Sequence, residues 1–213
     1  MPGSVFQSSI GDLQPLKSPA GRGAHDTVAH MPAYGYIVLA SGTVAWLAPF
    51  LLHKRDAGPA NQVDRRARWG MLLIVIAYSL LWQNSFWERS LPAWRSALSI
   101  LFLVLAALLS WTSVRALGRQ WRLDAGLNPD HELVMCGPYR VVRHPIYTSM
   151  LCMLCGTGFI VTPLPLLAFS LAVFMIGTEI RVRTEEKLLA SRFASRFVDY
   201  QRRVPAFIPF VKC

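Results

Sequence analysis

The chain has 213 residues, of which 53% are hydrophobic and only 16% are charged, and its net charge at neutral pH is +10. Soluble domains are usually about one-quarter charged, so this composition argues against a soluble globular protein. The positive charge invites a nucleic-acid-binding interpretation, and the positions of the charges along the chain argue against it.

Residues 1–30 are rich in glycine, serine and proline and contain no sustained apolar run, which predicts a mobile tail and no signal peptide. Three long segments with uncharged interiors follow, and each can cross a hydrocarbon core of about 30 Å. They are residues 33–52, 69–87 and 94–114. The chain is therefore predicted to be an integral membrane protein, with a three-span region at residues 31–114.

The basic residues are distributed unevenly between the two sides of these segments. Of the 22 lysine and arginine residues, 18 lie in alternate loops and the C-terminal region, and 4 lie on the other side. Cytoplasmic loops of membrane proteins carry such an excess of positive charge. The pattern predicts an outside N-terminus, a cytoplasmic C-terminus, a lipid bilayer as partner and no nucleic acid. The expected location is the bacterial inner membrane or the endoplasmic reticulum.

A further apolar region, at residues 146–178, contains Pro163 and Pro165 near its middle. Proline breaks a helix because it lacks an N–H donor and clashes with the preceding turn. Each arm is short for a full span, which predicts a helix–turn–helix hairpin extending past the hydrocarbon on the cytoplasmic side. We therefore expect an all-α membrane helix bundle of about five transmembrane helices, the last two forming the hairpin, plus a cytoplasmic amphipathic C-terminal helix.

Polar chemistry is concentrated in residues 131–147, immediately before the hairpin. Pro145 is expected at the first position of a helix, where its missing N–H is not needed. His144 would then flank a helix N-terminus, whose free N–H groups favour an anion such as a carboxylate or phosphate. Taken alone, this stretch is equally typical of a basic loop at the lipid headgroup level.

A second polar cluster, at residues 179–186, follows the hairpin and should emerge close to the first. On a helix Arg181 and Glu185 share a face, because residues four apart lie one turn apart. Alone, the pair Glu185 and Glu186 is more typical of a solvated helix face than of a site.

Two cysteines in the apolar hairpin, Cys152 and Cys155, have the spacing of a metal or redox motif. No histidine partner lies near them in that helix. Such a pair is more typical of small packing residues, so no metal site is predicted.

A set of short motifs occurs together between about residues 117 and 211. They are Leu117-Gly118…Trp121, His131-x-Leu133-Val134, Gly137-x-Tyr139, Arg143-His144-Pro145-x-Tyr147, Arg181-x-x-x-Glu185-Glu186, Phe193, Tyr200 and Val204-Pro205. Together they resemble the integral-membrane methyltransferases typified by isoprenylcysteine carboxyl methyltransferase, with phospholipid N-methyltransferases as more distant relatives. The chain departs from the family pattern at Ser149 and Ala194, where glycine is common.

The resemblance implies a methyltransferase core at residues 115–213 that binds S-adenosyl-L-methionine at the cytoplasmic face, without a Rossmann fold. It assigns one group of residues to the adenosine and another to the methionyl end. The adenosine group is His131, Glu132, Leu133, Val134 and Tyr139, and the methionyl group is His144, Pro145, Ile146 and Tyr147. Glu185 is implied as a further cofactor ligand, and Arg181 as the residue that orients the substrate.

Methyl transfer from a sulfonium needs a dry site that aligns donor and acceptor. The resemblance favours carboxyl O-methylation of an isoprenylated cysteine, and a membrane site suits a lipidic or lipid-anchored acceptor. A carboxylate acceptor needs no general base, whereas for an amine or a thiol His144 or Glu186 is the candidate base. A phospholipid amine and a small thiol stay open as acceptors.

Two other function classes stay open. Sterol reductases also end in a tyrosine and a Val-Pro segment, and they use NADPH. A membrane scaffold could keep the fold without turnover.

Overall fold

The computed structural model describes residues 32–53, 66–83, 91–118, 121 and 132–209. Within these ranges the chain forms helices and no strand, which confirms the all-α class. The helices are α1 (Ala33–Leu52), α2 (Arg66–Leu80), α3 (Ala93–Leu117), α4 (Pro145–Val161), α5 (Leu164–Phe193), α6 (Ser195–Arg203) and a 3-10 helix at Gly137–Arg140. The predicted mobile tail at residues 1–30, and His131, lie outside the described residues.

Three of the helices are long and apolar enough to cross a membrane. They are α1, α3 and α5, with 20, 25 and 30 residues. The other two predicted spans correspond to α2 and α4, which have 15 and 17 residues. At about 1.5 Å per residue these two helices are short for a core of about 30 Å. The number of about five spans therefore stays a prediction.

The bundle is built mainly from two helix pairs, because α2 packs along α5 and α3 packs along α4. The first pair touches backbone to backbone. A Cβ added at Gly70 would lie 2.6 Å from the carbonyl oxygen of Gly177 and 2.6 Å from Cγ of Arg181. Small residues permit such close approach between helices. In a bilayer there is no hydrophobic driving force between helices, so this close packing drives their association.

The α4–α5 hairpin is present as predicted. Pro163 is the N-cap of α5 and Pro165 lies in its first turn, where proline is tolerated. At the other end of the turn, Nε of Arg95 donates a hydrogen bond to the carbonyl oxygen of Phe159 at 2.7 Å. This contact satisfies one of the carbonyl groups that the end of α4 leaves without a helical partner.

The second arm of the hairpin differs from the prediction. α5 continues unbroken from Leu164 to Phe193, so the apolar arm, the acidic pair and the start of the predicted amphipathic helix form one helix. That amphipathic helix was expected to be continuous, and it divides at Ala194, whose φ is 45°. Residues with a side chain rarely adopt this conformation, whereas glycine adopts it freely. Glycine at this position would therefore remove the strain of the break.

Candidate functional site

The two polar clusters meet at one end of the α4–α5 hairpin. Arg143 and His144 immediately precede α4, and Tyr147 lies in its first turn. Arg181 faces them from α5. These four side chains are buried, with no residue more than 8% exposed. The hairpin thus brings together residues that the sequence separates, as predicted.

His144 lies between the two adjacent glutamates of α5. Its Nδ1 is 3.5 Å from Oε2 of Glu185, and its Nε2 is 3.2 Å from Oε1 of Glu186. Burial lowers the pKa of His144, but the hydrogen bonds to the two carboxylates outweigh burial and raise the pKa above its ordinary value of 6.5. The surroundings therefore favour the protonated imidazolium, with both ring nitrogens engaged.

Glu185 is part of a network with Tyr147 and Arg181. The Tyr147 hydroxyl donates to Oε1 of Glu185 at 2.5 Å, and Nε of Arg181 donates to the Tyr147 oxygen at 2.5 Å. Nη2 of Arg181 lies 3.2 Å from the same carboxylate. The guanidinium carbon is also 5.7 Å from the centre of the Tyr147 ring, within cation–π distance. The Glu185 side chain keeps 23% exposure, against 7% for Arg181.

Glu186 contacts a different set of partners. Arg143 donates to Oε1 through Nε at 2.8 Å, and its Nη2 lies 2.7 Å from the same oxygen. The side-chain amide of Gln201 on α6 donates to Oε2 at 2.8 Å. Arg143 also donates from Nη1 to the carbonyl oxygens of Gln201, at 3.0 Å, and of Val204. Both oxygens of Glu186 are therefore occupied by protein donors.

The segment after α6 closes over the start of α4. The backbone N–H groups of Arg143 and His144 donate to the carbonyl oxygens of Pro205 and Ala206 at 2.9 and 2.8 Å. Residues 204–206 are thus joined to the motif that begins α4, and they form part of the site.

The loop before the cluster reaches the site through Tyr139. Its side chain is buried, and its carbonyl oxygen accepts a hydrogen bond from the Tyr200 hydroxyl of α6 at 2.5 Å. Burial raises the pKa of Tyr139 well above its usual value, and the neighbouring Tyr200 and Glu185 add to this increase. In the same loop Glu132 is exposed, and Leu133 and Val134 are half-buried.

The arrangement can bind a small zwitterion. The N–H groups of Ile146 and Tyr147 lie in the first turn of α4, where no helical carbonyl precedes them as a partner. No side chain caps this N-terminus, so these groups suit a carboxylate. The partly exposed Glu185 carboxylate suits an ammonium group or hydroxyls. These complementary groups suit the two charged ends of a small zwitterion.

In the part of the chain that the structure describes, no group of three or more His, Cys, Asp or Glu side chains is arranged to hold a metal ion. Cys152 and Cys155 are free thiols within α4.

Sequence reasoning missed two residues that hold the site. Gly70 lies against Arg181, and Gln201 contacts both Glu186 and Arg143. Gly70 is in a segment without any family motif, and its importance appears only once α2 is known to pack on α5. Gln201 follows the motif residue Tyr200, and that position was the available signal.

The isoprenylcysteine carboxyl methyltransferase (ICMT) family matches residues 98–191 of the chain. The cobalt-zinc-cadmium resistance protein CzcN of Cupriavidus metallidurans is 32% identical over 142 residues, which are 66% of this chain and 62% of the relative. Protein-S-isoprenylcysteine O-methyltransferase B of Arabidopsis thaliana is 31% identical over 121 residues, which are 55% of this chain and 61% of the relative.

The protein-S-isoprenylcysteine O-methyltransferase of Tribolium castaneum is 32% identical over 122 residues, which are 56% of this chain and 43% of the relative. The chain thus spans 43–62% of the length of these three relatives. The matched residues include α4 and most of α5, which carry the two polar clusters. The chain is therefore similar to the ICMT family over residues 98–191, and its relatives include proteins named as isoprenylcysteine methyltransferases.

Proposed function

We propose that the chain is a membrane-embedded methyltransferase that uses S-adenosyl-L-methionine and methylates a lipidic or lipid-anchored acceptor, most like the carboxyl group of an isoprenylated cysteine. The observation that carries the proposal is one largely buried network at the end of an apolar hairpin, formed by Arg143, His144, Tyr147, Arg181, Glu185 and Glu186. Relatives named as isoprenylcysteine methyltransferases support the same reaction.

The residues around the start of α4 fit the cofactor. The free N–H groups of Ile146 and Tyr147, after Pro145, suit the methionyl carboxylate. The partly exposed carboxylate of Glu185 suits the amino group. The bound cofactor supplies an electrophilic methyl group on a sulfonium, and aromatic rings such as that of Tyr147 stabilise a neighbouring cation.

The adenosine end is assigned to the loop before α4 by resemblance. Glu132, Leu133, Val134 and Tyr139 lead toward the network, and His131 completes the motif. The Tyr139 side chain is buried, and Glu185 lies close enough to raise the pKa of Tyr139. This proximity supports a loop that adjoins the methionyl site.

The acceptor is proposed to be a carboxylate. Methylating a carboxylate forms a carbon–oxygen bond as the carbon–sulfur bond breaks, and no proton has to be removed. His144 is poorly suited to act as a base, because both ring nitrogens face carboxylates that favour its protonated form. Arg181 offers a planar guanidinium that suits an anionic acceptor. Its burial keeps that charge poorly screened by water.

The site is proposed to face the cytoplasm. The positively charged loops and C-terminal region lie on the same predicted side as residues 131–147. The apolar helices that carry the site support lateral access for an acceptor dissolved in the bilayer.

The test is calorimetric titration of the purified chain in lipid nanodiscs with S-adenosylhomocysteine and, separately, with NADPH. We expect S-adenosylhomocysteine to bind. Glu185→Ala should weaken that binding by about 1–3 kcal/mol, because a charge-assisted hydrogen bond is lost. Glu179→Ala is the matched control, because Glu179 pairs with the exposed Arg183 on α5.

The titration also separates the alternatives. Binding of NADPH without S-adenosylhomocysteine would favour a sterol-reductase-like enzyme. Transfer of a radiolabelled methyl group from S-adenosylmethionine into lipid, protein or thiol fractions of native membranes identifies the acceptor. Cofactor binding with no transfer into any fraction would indicate a scaffold.

A further inference from the structure

We infer that Glu186 on α5 and Gln201 on α6 are positioning residues, which together fix Arg143 and His144 at the cofactor site. The inference rests on the proposed function, since it concerns how that site is held in place. It assigns different tasks to Glu185 and Glu186, because Glu185 faces the ligand and Glu186 holds the protein side of the site.

Glu186 is the less exposed of the two glutamates and contacts more of the surrounding elements. Its Oε1 accepts hydrogen bonds from Arg143 at 2.8 Å and lies 3.2 Å from Nε2 of His144. Its Oε2 accepts from the Gln201 amide at 2.8 Å. Its side chain is 12% exposed, against 23% for Glu185. Contacts to the residues before α4 and to α6 suit Glu186 to orienting protein groups.

Gln201 engages the network from two directions. Its side chain holds Glu186, and its backbone carbonyl accepts from Nη1 of Arg143 at 3.0 Å. The same guanidinium also donates to the carbonyl oxygen of Val204, the residue that follows α6. Arg143 therefore joins the end of α6 to the start of α4, and Gln201 joins both to Glu186.

Because Gln201 is exposed, its proposed positioning role can be distinguished from a role in packing. The buried face of α6 consists of Phe197 and Tyr200, whereas Gln201 is an exposed residue. Removing an exposed side chain leaves no cavity, so its loss should act through hydrogen bonding and charge. Without the Gln201 donor, Oε2 of Glu186 loses its partner, and the carboxylate that accepts from Arg143 and faces Nε2 of His144 is held through Oε1 alone.

The experiment exchanges the two groups of the pair. Glu186→Gln removes the carboxylate that Arg143 and His144 need. Gln201→Glu places a second carboxylate against Glu186, and like charges at this distance repel. The double variant Glu186→Gln/Gln201→Glu restores one carboxylate and one amide between the same two positions, with the carboxylate on α6 beside Arg143.

We expect each single variant to raise the KM for S-adenosylmethionine by about tenfold or more, the scale of losing a hydrogen bond to a charged group, with a smaller change in kcat. The double variant should recover to within about threefold of the wild type. Glu179→Gln is the control, because it removes a glutamate that pairs with Arg183 outside the network, and its KM should not change.

A readout independent of turnover is the ring titration of His144 by nuclear magnetic resonance. Its pKa should fall in Glu186→Gln, because one of the two carboxylates that raise it is gone. Affinity for S-adenosylhomocysteine is measured on the same samples.

If the wild type does not bind S-adenosylhomocysteine, the proposed function fails. If the wild type binds it and both single variants bind it equally well, the positioning role is overturned. A double variant no better than the singles, or a Glu179→Gln variant as impaired as Glu186→Gln, also overturns it.

Discussion

α5 is held in two different ways along its length. In its first half Gly177 touches the backbone of α2 at Gly70, and a side chain on either residue would clash. In its second half Arg181, Glu185 and Glu186 are held by side-chain hydrogen bonds. Packing of the first half of α5 is therefore sensitive to side-chain volume, whereas packing of the second half is sensitive to side-chain charge. Arg181 belongs to both, since its Cγ lies against Gly70 and its guanidinium enters the network.

The largest effect is expected from Gly177→Leu, which tests the volume-sensitive half. A Cβ at this position would lie 2.8 Å from the carbonyl oxygen of Gly70, and a backbone atom cannot rotate away. Overpacking usually costs about 1–3 kcal/mol, and a backbone clash belongs at or above the upper end. The midpoint of thermal unfolding in detergent should fall sharply.

Gly42→Leu provides the comparison for that variant. Its Cβ would lie 2.9 Å from Cδ1 and 3.1 Å from Cβ of Leu103, so the contact is with side-chain atoms and not with backbone. The fall in unfolding temperature should be smaller than for Gly177→Leu. Equal falls would mean that the backbone contact between α2 and α5 has no special role.

The next effect concerns Arg181, where the two halves meet. Arg181→Leu should lower methyl transfer by about 10²-fold, the scale of a lost orienting contact. Affinity for S-adenosylhomocysteine should stay within a few-fold, because Glu185 keeps its hydrogen bond from Tyr147 and its contact with His144.

Arg183→Leu is the matched control for Arg181→Leu. The Arg183 side chain is 75% exposed, and it pairs with Glu179, which lies four residues earlier on α5. Exposed pairs of this kind contribute about 0.3–0.5 kcal/mol, so turnover should barely change. Near-normal turnover in Arg181→Leu would remove the substrate role and leave the cofactor assignment standing.

The stability of the site around the second half of α5 should also depend on pH, because His144 contacts Glu185 and Glu186 there. Glu185 and Glu186 face its ring, Arg143 precedes it, and the Tyr147 ring lies 5.9 Å away. Because its folded pKa is raised above 6.5, its stabilising contribution is complete below about that pH and is lost as pH rises through the folded pKa. Unfolding temperatures of the wild type should therefore approach those of His144→Asn as pH increases. A difference between the two proteins that stays constant across this range would contradict the assignment.

The smallest expected effect is the loss of stability in Tyr200→Phe, which tests a hydrogen bond made by α6. Tyr200→Phe removes the hydrogen bond to the carbonyl oxygen of Tyr139 and keeps the ring that packs beside Phe197. Stability should fall by about 1 kcal/mol, the usual contribution of one hydrogen bond. Tyr34→Phe is the control, because that hydroxyl has an exposed contact with Ser96 at 3.3 Å. Chemical denaturation should show no change for the control, and a similar loss in both variants would rule out a specific role for Tyr200.

Features governed by neighbouring residues in the sequence were predictable. α3 ends at Leu117 beside Gly118, whose φ is 51°, and α4 begins at Pro145. Glycine frees the backbone at its own position and proline restricts it, so their effects can be predicted from the local sequence. The meeting of the two clusters followed from the hairpin.

Features that depend on which elements become neighbours were not predictable. The contact between Gly70 and Gly177 requires α2 to pack on α5, and nothing in either segment specifies the partner. Glu185 and Glu186 are chemically identical in the sequence, yet Gln201 engages only the second. The break at Ala194 was missed because alanine favours a continuing helix.

The pairing of Arg143 and His144 with Pro205 and Ala206 has a consequence for biosynthesis. A ribosome adds about 5–20 residues per second, so residues 205 and 206 are made several seconds after the motif that begins α4. Until then the two N–H groups have no partner, and the cofactor side of the hairpin lacks its cover. The proposed binding site is therefore completed only after residues 205 and 206 are made, and a nascent chain that stops before residue 205 should insert its helices without gaining affinity for the cofactor.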